Sequence, residues 1–273
     1  MSESIFLQEG ERFLATELAR GPWDPQALHG GAPAALIADA FERHEPAPDT
    51  AIARLGFEFL RPIPFAPLVL SIRTIRAGRR VQELSAELHA ELGDDAPMLI
   101  CRATALRVTR VPGQLPELPD GSIAEQAMPG PDQGQAVRFS LSDSQETSFA
   151  ASAMEMRWLD DPTAMGPGRV WMRLRHPLIP ERPLSGLARL AATADFGNGV
   201  SASLSFAEYL FVNADLTIHL QRAPRGEWIG IDARTLLHEG GTGLAESVLH
   251  DLDGPVGRGF QAIVVAPRSP QAA

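Results

Sequence analysis

The 273-residue chain has one cysteine, Cys101, so no internal disulfide can form. It sits in the apolar run Met98-Leu99-Ile100-Cys101, which reads as a buried strand and makes the thiol a packing group rather than a nucleophile. No stretch approaches the roughly 18 to 20 uninterrupted apolar residues of a membrane helix, and Met1-Ser2-Glu3-Ser4-Ile5 lacks the basic start of a signal peptide. The expectation is a cytoplasmic protein without membrane contact. Basic residues are in deficit: 24 Lys and Arg against 34 Asp and Glu leave a net charge of -10, which disfavours a nucleic-acid partner, whose phosphates demand a basic surface.

Several catalytic signatures are also missing. No Gly-x-Ser-x-Gly elbow is present for a serine nucleophile, and neither a phosphate loop nor a dinucleotide fingerprint occurs. His44, His89, His176, His219, His238 and His250 show no metal-ligand spacing, so neither metal nor cofactor is implied. Asp251-Leu252-Asp253-Gly254 matches only a fragment of a calcium loop and reads as a hairpin turn.

What is present is a core-forming composition, 44% hydrophobic, written twice along the chain. Prolines 112, 116, 119, 129 and 131 and glycines 113, 121, 130 and 134 crowd one segment beyond what a helix or central strand tolerates. That segment predicts a connector over residues 110–134 between modules at 1–109 and 135–273. A constant shift of 161 positions sets Ile72-Arg73-Thr74 against Ala233-Arg234-Thr235 and Leu88-His89-Ala90 against Leu249-His250-Asp251, without a gap between residues 61 and 93. A shift of 156 relates the helical run Ala34–Phe41 to Leu190–Phe196, and with it Asp39 to Asp195. Both helices are apolar on nearly all sides and so must be buried, wrapped by the strands that follow. Each half reads as an N-terminal strand, a central helix and a four-stranded antiparallel meander. Two such halves can join edge to edge in one sheet with both helices on one side, which removes two exposed edges.

Three segments carry a family likeness. Leu28-His29-Gly30-Gly31, Phe57-Glu58-Phe59-Leu60-Arg61-Pro62 and the run from Asn213 to Arg222 resemble the bacterial acyl-CoA thioesterase II family, from about residue 23 to 265. The resemblance implies an α+β double hotdog: two fused hotdog modules forming one continuous antiparallel sheet around two central helices. It further implies hydrolysis of fatty acyl-CoA to free acid and CoA. Family members hold and activate a water with an Asp on the second helix, a Thr or Ser on the next strand and a Gln on the last strand. Here those positions fall on Asp195, on Asn213 where the family has a hydroxyl, and on Gln261.

The repeat bears on the same residues independently. Asp195 lies three turns into an apolar helix, where a carboxylate is costly without partners, and burial favours a proton-accepting role. At minus 161, Asn213 and Gln261 face Ile52 and Ile100, so only the second half gathers a polar trio. The alternative for Asp195 is a cap or an ion pair with Arg189. Gly30 and Gly31 are candidate oxyanion donors at a helix start, with Gly31 expected opposite Asp195; a tight turn needs the same glycines. His29 reads as a helix-entry packing or capping residue at the substrate-binding end. Arg61 and Arg222 are candidates for CoA phosphates, or for ion pairs at a sheet rim. A fused pair can stay monomeric or associate into a homodimer or higher homo-oligomer. The competing readings are a non-catalytic acyl-CoA or acyl-carrier binding module and a hotdog-type enoyl-CoA hydratase or dehydratase. Asp215 and His219 share a strand face without the latter's Asp-x-Asn-Pro-x-His run.

Overall fold

The computed structural model describes residues 3–268 apart from 23, 25, 48, 94, 112, 114–126 and 139–146. Most of the expected connector, with Pro112, Pro116, Pro119 and Gly121, lies outside the described residues. The first half comprises β1 (Phe6–Glu9), β2 (Arg12–Ala15), α1 (Gly31–Arg43), β3 (Thr50–Phe59), β4 (Leu68–Ala77), β5 (Val81–Ala90) and β6 (Met98–Thr109). The second comprises β7 (Gln135–Ala136), β8 (Met154–Trp158), β9 (Gly168–Leu174), α2 (Gly186–Ala194) and α3 (Gly197–Val200). It continues with β10 (Tyr209–Asn213), β11 (Asp215–Leu220), β12 (Ile229–His238), β13 (Thr242–Asp251) and β14 (Gly254–Pro267).

The strands form one antiparallel sheet in the order β1-β2-β4-β5-β6-β3-β11-β14-β13-β12-β9-β8-β7, with β10 attached to β14. This is the expected double hotdog, joined where β3 pairs with β11 from Asp215 opposite Glu58 to His219 opposite Arg54. The shift of 161 carries the bounds of β4 onto β12 and of β5 onto β13. The four-stranded meander needs correction. β3 does not neighbour β4; it crosses to the far side of β6, where the other half can cover its second edge.

The shift also fails in the last strand. Ala245, the repeat equivalent of Leu84, pairs with Gln261, whereas Leu84 pairs with Ala105. Gln261 therefore corresponds to Ala105 and not to Ile100, because the β5–β6 connection is longer than the two-residue turn between β13 and β14. The replaced residue is still apolar.

Helix α1 is an alanine-rich stretch buried along nearly its whole length. It stops at His44, before Glu45 at φ 42 and Pro46, whose ring disfavours helix in the preceding residue. The buried Arg107 satisfies the carbonyls left over there: Nη2 donates to Phe41 O and His44 O at 3.0 Å, and Nη1 to Glu45 O at 3.0 Å and Gln82 Oε1 at 3.1 Å. The helical region of each half is also tied to one strand position. His44 Nε2 meets Thr74 Oγ1 at 3.2 Å, and at the equivalent Thr235 the Oγ1 lies 2.8 Å from Ser201 Oγ.

The two helices cross closely at the start of α1. A Cβ on Gly31 would lie 2.6 Å from the carbonyl oxygen of Ala192, so only a glycine permits this approach. Replacing Arg107 by Leu leaves buried carbonyls without a donor and should cost about 3 kcal/mol. A urea-unfolding midpoint equal to that of the wild type would contradict the capping role.

Candidate active site

Asp195 does not sit inside a continuous helix. It is the C-cap of α2, with φ -68 and ψ -13, and the chain re-enters a single turn, α3, two residues later. The break is stabilised by Gln261, which is buried on β14. Its Nε2 donates to the main-chain oxygen of Asp195 at 3.1 Å, and its Oε1 accepts from the Asn198 amide at 3.0 Å. Gly197 makes room for this bridge, since a Cβ there would be 2.7 Å from both Gln261 Oε1 and Ser247 Oγ. Gln261 thus bridges the backbone across the break, from Asp195 to Asn198, a different contact from the water expected of it.

The Asp195 carboxylate turns away from Arg189, which donates to Gly226 O, and points across the module boundary. Asn213 Nδ2 donates to Oδ1 at 2.9 Å and to Asp215 O at 3.3 Å. His29 Nδ1 lies 3.1 Å from Oδ2. The Gly31 N–H donates to that same Nδ1 at 3.0 Å, so Gly31 does not stand opposite the carboxylate as expected. Gly30 does: a Cβ there would be 2.9 Å from Asp195 Oδ2. Its backbone, φ -57 and ψ -30, suits any residue, so what the position requires is space and not conformational freedom.

Two residues that sequence reasoning missed fix the His29 ring, whose centroid is 4.4 Å from that of Phe196 and 5.0 Å from that of Phe149. Phe196 follows Asp195 in sequence and could have been suspected. Phe149 comes from a short π-helical turn capped by Ser148 and carries no sequence signal.

Of these groups His29, Gly30, Asp195, Phe196 and Asn213 border a cavity of about 540 Å³. Its inner wall is apolar and buried, with Met156, Trp158, Met172 and Val200, while the exposed Asp24, Arg61, Pro62, Val212 and Val264 mark its opening. A largely apolar cleft with a few convergent polar groups is the usual form of a small-molecule site.

Two family models match the sequence: the acyl-CoA thioesterase N-terminal domain over residues 19–108 and the acyl-CoA thioesterase C-terminal domain over residues 123–265. The chain belongs to the acyl-CoA thioesterase II family. Thioester hydrolysis is accordingly its reaction class. Solved structures share the fold. A hot dog fold protein from Alicyclobacillus acidocaldarius superimposes with a TM-score of 0.69 at 17% identity, covering 97% of this chain and 96% of its own. The acyl-CoA thioesterase II TesB2 of Mycobacterium marinum gives 0.58 at 17% identity, covering 100% and 96%. No curated protein matches the sequence.

Asp39 and Cys101 of this thioesterase lie away from the cavity. Asp39, the repeat equivalent of Asp195, is neutralised by Arg43 at 2.8 Å and Arg182 at 3.5 Å. Burial pushes the Cys101 thiol up to about 12, which removes it as a nucleophile. Among the described residues no cluster of three or more His, Cys, Asp or Glu is set to hold a metal, and no helix is long and apolar enough to cross a membrane. Arg61 stays at the cavity opening and donates to Met98 Sδ at 2.9 Å.

Arg222 takes the second of its two expected roles, the ion pair at a sheet rim. Both its terminal nitrogens are bound to the buried Asp251 carboxylate, so it is not held out for phosphate. Burial opposes the charge of Asp251, but Arg222 and the backbone amides of Arg225 and Asp253 outweigh it and hold the carboxyl below its ordinary range. A lowered folded-state value means that this contribution to stability is complete above the ordinary carboxylate range, about pH 4, and is lost as pH falls through the folded value. The gap in urea midpoint between wild type and Asp251→Asn should therefore be full at pH 7 and narrow on acidification below about pH 4. A gap independent of pH would contradict the assignment.

Proposed function

We propose that the chain hydrolyses acyl-CoA thioesters with a water activated at Asp195. The observation that carries the reading is a buried carboxylate at the wall of an apolar cavity, held by Asn213 and facing the start of a helix from the other half. Water attacks the thioester carbonyl and passes a proton to Asp195. The tetrahedral intermediate collapses with cleavage of the C–S bond, and the departing thiolate recovers that proton, leaving free acid and CoA. Hydrolysis needs such a base and donors aimed at the developing oxyanion.

Asn213 orients the carboxylate through its Nδ2, and its Oδ1 is the acceptor with which the amide substitutes for the family's hydroxyl. Gln261 keeps Asp195 at the helix break through the main chain. His29 Nδ1, 3.1 Å from Asp195 Oδ2 and receiving the Gly31 N–H, ties the ring beside the carboxylate to the start of α1. Gly30, whose backbone borders the cavity at the positive end of α1, is the candidate for the oxyanion. The acyl group fits the apolar end at Met156, Trp158 and Met172, and the CoA arm leaves past Arg61.

Asp195→Asn should retain the fold and lower kcat by about two to four orders of magnitude, measured as release of free CoA from a panel of acyl-CoA thioesters. Normal turnover would remove Asp195 from the mechanism. Intact substrate together with measurable binding by the wild-type chain would replace the enzyme by a carrier. Gly30→Ala forces a methyl onto the carboxylate and should cost about 100-fold in kcat/KM at a near-unchanged unfolding midpoint. Full activity in that variant would show that the close approach is not required.

A further inference from the structure

The joint between the halves leaves a notch in the sheet. β11 is covered on both edges, by β3 and β14, but among the described residues β10 pairs only with β14. Which backbone groups face the open edge follows from one hydrogen bond. Val265 N–H donates to Gly241 O, on the β13 side, so the opposed pair Phe211 and Val265 is not bonded to each other. The N–H and C=O of Phe211 therefore point out of the open edge and, by alternation, so do those of Asn213. The edge closes again at Ala214, whose carbonyl accepts from Phe59 N–H.

The cavity reaches the Asn213 end of this edge. It is bordered by Leu210 and Val212, whose side chains leave one face of β10, and by Asn213, whose side chain leaves the other. Phe211 stands between Leu210 and Val212 and carries the same open edge one outward-facing step beyond Asn213. One end of the strip is Asn213, bonded to Asp195, and the side chains along it are mostly apolar.

We propose that the open edge of β10, from Phe211 to Asn213, docks the pantetheine arm of the substrate as a short added strand. The inference rests on the thioesterase reading above, because it takes the sulfur to lie at Asp195. The arm is an unbranched chain with two secondary amides, each a donor and an acceptor, and backbone edges recognise that pattern through main-chain hydrogen bonds. Outward-facing residues recur every second position, about 7 Å apart, a spacing an extended arm can follow from Asn213 to Phe211. Recognition by backbone also accounts for a cavity that offers few polar side chains between its opening and Asp195.

The test uses the full chain and two kinds of substrate analogue. In the first, each amide of the arm is replaced in turn by an ester, which deletes one donor and changes nothing else in the acyl or nucleotide parts. At least one replacement should lower kcat/KM about five- to tenfold. In the second, a non-hydrolysable thioether of the same acyl-CoA should slow hydrogen exchange at the Phe211 amide. Hydrolysis of the parent acyl-CoA with both ester analogues processed equally well and Phe211 exchange unchanged would overturn the docking strip while leaving the thioesterase reading intact. Neither hydrolysis nor binding of any acyl-CoA would overturn both.

Discussion

Everything at the candidate site depends on the antiparallel pairing of β3 with β11, which locks the two modules edge to edge. That ladder sets the start of α1 against the end of α2, so that Gly30 and His29 from one half meet Asp195 from the other. A carboxylate buried within one module would need its partners from the same short stretch of fold. At the joint it draws an amide from a strand, an imidazole from a loop and the positive end of a helix. The close helix crossing at Gly31 holds these elements at fixed distance, since any side chain there would push α1 off Ala192.

Duplication supplied two copies of this geometry, and they were resolved in opposite ways. In the first half the helix runs unbroken, Arg107 closes its carboxyl end, and Asp39 is tied down by Arg43 and Arg182. In the second half the helix breaks after Ala194, and Gln261 holds the two pieces where Ala105 stands in the other copy. A buried ion pair removes one aspartate from chemistry, while a break braced by neutral amides leaves the other facing the cavity. The shared threonine at positions 74 and 235 shows that the helix-to-strand tether survived in both copies while the polar residues around the aspartates diverged.

The cavity itself is a product of the joint. Its buried wall comes from β8 and β9, its polar edge from β10 and the α2–α3 break, and its opening from the segment after β3. No one of these elements encloses a volume alone. The same arrangement explains why β10 is short of a neighbour: β3 turns away at Phe59, and the sheet parts there.

The duplicated pattern, the burial of both helices, the correspondence of β4 with β12 and β5 with β13, and Asn213 as a polar partner of Asp195 were legible in the sequence. Hydrophobic periodicity and a constant register are local properties, preserved wherever loop lengths do not change. The register failed at β14 because the preceding turn is shorter than its counterpart, which moved the equivalent of Gln261 from Ile100 to Ala105. Only the tertiary structure decided that β3 crosses to the far side of β6, that Gly30 and not Gly31 faces the carboxylate, that Phe149 packs on His29, and that Arg222 is committed to Asp251. Each of these is a contact between segments far apart along the chain. Residue type constrains which partners a side chain can accept, but the partner it meets is chosen by strand order and helix crossing.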